Sequence, residues 1–361
     1  MRTVGARARA LAAVCGLLVA AVGGAANQAQ AAPLPPSYVY KIFTVYHFDA
    51  SDGAPNYVTV NKRQGSIEFV DTEAPVRLSQ TQPSGGCVQV DEHTVRCPHD
   101  APSQYDVISV SLADGDDKFA NNSGVKTYAN GGDGNDTLTG IGRSDDTFSG
   151  DSGNDALQGS FGNDTLYGGS GNDTMTGGSD NDRLVGDFGK NTMWGGPGND
   201  VFETGLGADD LDGGTGLDRV DFDDRLNTGV TVSLDGSAND GTPGEHVNVR
   251  NTIEEIHGTP FDDKLSGDAV ATTFYGHAGR DTISGGGGDD LVYGGADRDI
   301  MRADDGNDVM YGEDGNDDLD GGRGDDHLDA GLGRVQTVIG GDGFDTCVGH
   351  DLIRPRNDCE R

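Results

Sequence analysis

GGDGNDTLT, read from Gly131, is followed along the chain by GSFGNDTLY from Gly159, GGSGNDTMT from Gly168 and GGPGNDVFE from Gly195. The same nine-letter line returns as GHAGRDTIS from Gly276 and GEDGNDDLD from Gly312. Set in columns, the chain gives twenty such units, ten from Gly131 to Asp221 and ten from Gly258 to Val348. The units at Gly140 and Ala330 carry one extra residue. A period this regular outranks local propensity as a guide to the fold.

Each line has the form G-G-x-G-x-D-x-U-x, with U apolar. Glycines at the first, second and fourth places suit a tight turn, where positive φ and close backbone approach are needed. The x-U-x that follows reads as a strand of about three residues with its middle side chain turned inward. That inward column holds Leu138, Leu157, Leu166, Met175, Leu184, Met193, Phe202 and Leu211 in the first block. In the second it holds Leu265, Ile283, Val292, Met301, Met310, Leu319 and Leu328. One apolar residue in nine is a thin core, and stacking the turns about 4.8 Å apart makes it continuous. The expected class is all-β, a parallel β-roll or β-helix solenoid with a small N-terminal β cap.

The sixth place is the chemical one. It is aspartate at Asp136, Asp146, Asp155, Asp164, Asp173, Asp182, Asp200, Asp209 and Asp218 in the first block. In the second it is Asp263, Asp281, Asp290, Asp299, Asp308, Asp317, Asp326 and Asp345. Two units make one coil, so Asp155 stacks over Asp173, Asp164 over Asp182 and Asp290 over Asp308. Carboxylates at strand spacing repel unless a cation lies between them. Turn carbonyls with two carboxylates form an all-oxygen shell, which suits Ca²⁺. A solvated glycine-rich loop array is the competing reading, but it would not hold register across two blocks.

On these residues the chain resembles the calcium-binding nonapeptide repeats of the secreted bacterial RTX (repeats-in-toxin, hemolysin-type) proteins. The resemblance runs from about Leu112 to Val348, about two thirds of the sequence. It implies multiple calcium ions at the same turns. Asn191, Thr272 and the altered unit at Ala330 depart from the line, and weaker sites are expected there.

Composition agrees. Acidic residues number 61 against 25 basic, a net charge of −36, which argues against nucleic acid as a partner. So much repulsion against a thin core leaves the metal-free chain expanded, with calcium as a folding ligand. Residues 1–31 read as a secretory signal peptide. Arg2, Arg7 and Arg9 precede the apolar run Leu11 to Val22, and Ala29-Gln30-Ala31 offers cleavage after Ala31. That run is short for a membrane span and ends in Gly23-Gly24. A secreted monomer is expected, and the leader sets the chain apart from toxins exported by a C-terminal signal.

Behind the leader stand Cys87, Cys97, Cys347 and Cys359. Proximity favours Cys87–Cys97 and Cys347–Cys359 disulfides among three connectivities; a zinc site competes weakly, because no C-x-x-C occurs. Residues 32–111 alternate like short strands and read as a β cap over the first coil. Residues 112–221 hold the first repeat block, with its first coil degenerate, and residues 258–348 the second. Residues 349–361 close the C-terminal end. Residues 222–257 break the register, either as an irregular coil laid into the roll or as a protrusion that binds something.

Other motifs dissolve into the repeat. Gly150-Asp151-Ser152-Gly153 looks like a protease nucleophile loop and Arg323-Gly324-Asp325 spells an adhesion tripeptide, yet both fall in register. Asn163 and Asn172 begin formal glycosylation sequons produced by the same line. The eight histidines show no H-E-x-x-H spacing. The reading is a secreted calcium-binding structural or interaction protein rather than an enzyme. An adhesin or an ice- or surface-binding solenoid is the alternative, although the third-place column (Asp133, Ser152, Phe161, Ser170) is irregular for ice. A secreted hydrolase with the roll as carrier ranks below both. An extracellular or cell-surface partner stays unidentified.

Overall fold

The computed structural model describes residues 37–42, 45–50, 55–78, 86–99, 106–222, 227–333, 336–349, 352–355 and 359–360. The leader, its cleavage site and the prolines after it lie outside the described residues. Those described belong to one compact unit, Leu34–Arg361. They form strands and no helix, wound into a parallel β-solenoid of about 13 turns.

Each unit contributes one strand, and strands two units apart pair in parallel. Thr165–Ser170 lies between Thr147–Ser152 and Arg183–Gly189, with Phe148, Leu166 and Leu184 in register. On the opposite side Leu138, Leu157, Met175, Met193 and Leu211 follow one another. Every inward residue named from the sequence is buried, none more than 2% exposed. The strands are longer than the three residues expected, typically six, as in Thr165–Ser170. Pairing continues past x-U-x into the first glycines of the next unit, because a glycine without a side chain lets the neighbouring coil keep its ladder.

One side of the roll runs without a break through both blocks. Val220 pairs with Ile256 and Ile256 with Phe274, so the strand at Arg219–Asp221 is followed directly by Glu255–His257. The other side is interrupted. Asn248–Val249 pairs back onto Asp210–Leu211 and ends one sheet, while Thr231–Ser233 pairs forward onto Lys264–Ser266 and begins another. Val220 and its partner Ile256 stand 36 residues apart where 18 is the rule, so the described residues from 227 to 257 belong to a double-length coil laid into the roll. Buried Asp240 ties its two strands together, accepting the Ser233 N–H at 2.7 Å and the Val249 N–H at 2.8 Å.

At the N-terminal end Val45–Asp49 pairs in parallel with Val107–Ser111, and Tyr57–Asn61 with Lys118–Asn122. Tyr46, Phe48, Val58, Ile67 and Phe69 are buried there and close the open end of the core. At the other end Asp345–Thr346 pairs with Cys359–Glu360. Both cysteine pairs expected from proximity are bonded, Cys87 to Cys97 and Cys347 to Cys359.

Candidate metal centre

The turns explain the glycines one place at a time. Most second- and fourth-place glycines hold positive φ, +104° at Gly132 and +145° at Gly134, as expected, while Gly207, Gly306 and Gly315 at the fourth place are outside that set. The first place differs: Gly131 and Gly150 are absent from the positive-φ set. Their constraint is space. A methyl added at Gly150 would stand 2.1 Å from Asp155 Oδ2 and 2.7 Å from the carbonyl oxygen of Gly168. At Gly276 the corresponding oxygens are Asp281 Oδ2 and the Gly294 carbonyl, each at 2.5 Å. A carboxylate oxygen of one coil and a carbonyl oxygen of the next therefore converge over each of these glycines.

The two oxygens of each aspartate do different things. Oδ1 accepts the backbone N–H of the sixth-place residue one coil back: Asp136 to Asp155 at 2.7 Å, Asp164 to Asp182 at 2.7 Å, Asp290 to Asp308 at 2.7 Å. The side chains are buried, at most 2% exposed. Oδ2 has no protein partner in Asp136, Asp155, Asp164, Asp173, Asp182, Asp200, Asp218, Asp281, Asp290, Asp299, Asp308, Asp317, Asp326 and Asp345. Two aspartates depart from this pattern. Asp146 Oδ2 accepts from Ser144 Oγ and Asn121 Nδ2, each at 3.2 Å, and Asp263 Oδ2 accepts the Thr259 N–H at 2.6 Å.

Burial pushes eleven of these carboxyls well up, against the pull of the backbone N–H that each accepts. Asp164, Asp182 and Asp281 reach about 8, with neighbouring aspartates adding to the rise. Asp136, Asp218, Asp290 and Asp299 reach about 7, and Asp155, Asp200, Asp317 and Asp326 about 6. A buried acceptor without a donor is costly, and a cation removes that cost. Among the described residues no three His, Cys, Asp or Glu side chains converge as a metal-binding group. The donor set is instead carboxylate oxygen with backbone carbonyls, all hard oxygen, which fits Ca²⁺ and not a soft transition metal.

A second ladder escaped the sequence reading. Fifth-place Asn and Asp side chains accept N–H bonds from the coil ahead: Asn154 to Asn135 at 2.9 Å, Asn172 to Asn154 at 2.8 Å, Asn307 to Asp289 at 2.8 Å. The signal was present as the repeated N of G-N-D. It also accounts for the sequons, since Asn163 Oδ1 and Asn172 Oδ1 hold the N–H groups of Asn181 and Lys190. The Arg323-Gly324-Asp325 tripeptide is occupied likewise: Arg323 pairs with Asp305 and Asp325 accepts the Phe344 N–H. A cavity of about 700 Å³ near the N-terminal strands is lined by Arg63 and Arg96, both already bound to Glu68.

Among the described residues no helix is long and apolar enough to cross a membrane. A comparison with curated proteins gave no match. The family model described as the RTX calcium-binding nonapeptide repeat (4 copies) matches residues 128–157, 149–184, 185–220, 271–301, 293–328 and 302–336. The matched segments are the coils in which the aspartate ladder and its converging oxygens stand. The chain therefore carries RTX calcium-binding nonapeptide repeats, in two blocks wound on one parallel β-solenoid.

Proposed function

We propose that this is a secreted protein that winds into its roll on binding several calcium ions and serves a structural or interaction role without catalysis. The observation that carries the reading is the column of buried aspartates whose Oδ2 atoms lack a protein partner and face a carbonyl of the next coil. The aspartates named above would supply the carboxylate ligands, those with an open Oδ2 foremost. Calcium supplies the positive charge that lets a chain of net charge −36 pack its carboxylates inside. The leader-like residues 1–31 support export to where calcium reaches millimolar levels, matching extracellular sites of about 10⁻⁴ to 10⁻³ M.

Far-UV circular dichroism of the chain without residues 1–31, titrated with Ca²⁺ and separately with Mg²⁺, tests this. A coil-to-β transition with Ca²⁺ alone is expected. Full β signal in chelator would reduce calcium to an accessory. For the choice between structural and interaction roles, one outer strip favours interaction: Tyr275, Tyr293 and Tyr311 stack at 4.8 and 5.1 Å between centroids. Retention of the folded chain on cell-surface fractions, lost in Tyr293→Ser, would support an adhesive partner; equal retention of both would remove that strip from the argument.

A further inference from the structure

The double-length coil brings to the ladder a carboxylate that the nine-residue line does not contain. Asp218 closes the last regular unit of the first block. Its backbone N–H donates not to an aspartate one coil ahead but to Glu254 Oε2, 2.8 Å away and 36 residues on. Asp218 is fully buried and its Oδ2 has no protein partner.

The oxygens around it are arranged as in the repeats. A methyl added at Gly213 would stand 2.5 Å from Asp218 Oδ2 and 2.2 Å from the carbonyl oxygen of Thr252. Thr252 thus stands where the first-place glycine of the next coil would be. It is held in place by its hydroxyl, which accepts the Gly213 N–H and donates to Asp212 Oδ1, both at 2.9 Å. In a regular unit the first and sixth places lie five residues apart; here Thr252 and Glu254 are only two apart. The longer glutamate arm makes up the reach that the shortened turn removes. The family model stops at residue 220 and resumes at 271, so Gly213 and Asp218 belong to a matched repeat whereas Thr252 and Glu254 lie outside every match.

We propose that the Asp218 seat is completed from the inserted coil: Asp218 Oδ2, the Thr252 carbonyl and the Glu254 carboxylate hold a hard divalent cation, of calcium type, at the junction of the two blocks. The proposal rests on the calcium reading of the repeats. Its consequence is coupling. Glu254 and Glu255 donate their backbone N–H groups to the Asp218 carbonyl at 3.0 and 2.9 Å, and the Glu254 carbonyl accepts the Thr273 N–H at 2.7 Å. A cation here fastens the residue that joins the first block to the second.

A crystal structure of the chain grown in Ca²⁺, with anomalous scattering to place the ions, tests it. A peak about 2.3–2.6 Å from Asp218 Oδ2, the Thr252 carbonyl and a Glu254 oxygen is expected. Peaks over Gly150 and Asp155 with none at Glu254 overturn this proposal and leave the repeat reading standing. No peak at either place overturns both. In solution, Glu254→Gln keeps an acceptor for the Asp218 N–H and removes the charge. The Ca²⁺ midpoint read from the single tryptophan, Trp194, should rise about threefold or more, as loss of one charged ligand requires. An unchanged midpoint in a variant with the native β signal overturns the site.

Discussion

The backbone N–H of Asp155 donates to Oδ1 of Asp173, 2.8 Å away and one coil ahead. That bond divides the labour within each carboxylate: Oδ1 holds the coils in register, and Oδ2 is left without a protein partner. The two tasks separate by substitution.

In Asp173→Asn the amide oxygen still accepts the Asp155 N–H, so the coil keeps its register, while the anionic Oδ2 is lost. Calorimetry should show one fewer calcium ion bound. The metal-free roll should gain about 1–2 kcal/mol, because a buried acceptor without a donor has been removed. An Asp173→Asn chain that binds as many ions as the parent would break the assignment.

The chain already contains this experiment at Asn191. Its Oδ1 accepts the Asp173 N–H at 2.9 Å and its Nδ2 donates to the Gly186 carbonyl at 2.9 Å. Over Gly186 the amide puts an N–H where a carboxylate oxygen would face the Thr204 carbonyl, so this turn presents a donor in place of an anionic ligand. Asn191→Asp should therefore add one calcium ion to the stoichiometry and lower the stability of the metal-free form. A titration with neither gain nor loss would show that this turn cannot accept an ion for another reason.

The raised carboxyls set a pH dependence whose sign follows from linkage. Folded values of about 6 to 8 lie above the roughly 3.9 of an unfolded aspartate. Such groups stabilise the metal-free roll below the unfolded value, and that contribution is lost as pH rises through the folded values. The metal-free chain should hold more β signal at pH 5 than at pH 8. Protons and Ca²⁺ compete for the same oxygens, so apparent calcium affinity should climb between pH 6 and 8. Circular dichroism on resin-stripped protein decides it: more structure at pH 8 than at pH 5, without metal, contradicts the buried-carboxylate account.

The roll was legible because a nine-residue period with one apolar place leaves few ways to build a core. Leu166 over Leu184 and Asp164 over Asp182 follow from that period alone. What each carboxylate oxygen does was not legible, since Oδ1 and Oδ2 are the same letter in a sequence. Asp146 and Asp263 stand in the same column as Asp155, yet both their oxygens are bonded, through Asn121, Ser144 and Thr259 supplied by irregular turns. Glu254 was hidden for the opposite reason. Its spacing from Thr252 is too short for the pattern, and only the pairing of Val220 with Ile256 puts it beside Asp218. The N-terminal strands were visible as alternating runs, but their parallel pairing onto the first coil depends on partners distant in sequence.

Glycine at the first place is the least obvious requirement and the sharpest test of the cradle. Gly150 lies outside the positive-φ set, so an L-alanine there is acceptable to the backbone itself. Its methyl, however, would stand 2.1 Å from Asp155 Oδ2. Ala303 and Ala330 occupy this place and are fully buried, so the roll itself accepts a methyl there. Gly150→Ala should therefore swing Asp155 aside and also push back the Gly168 carbonyl, 2.7 Å from the methyl, without unfolding the roll. The expected cost is about 1–3 kcal/mol of overpacking, with one calcium ion lost. Gly65→Ala is the control, with φ at +70° but nothing within 4 Å of the added methyl. It should cost about 1 kcal/mol through backbone strain and leave calcium binding unchanged. If Gly150→Ala bound the full complement of ions, the oxygen pair over the first glycine would not be the cation's seat.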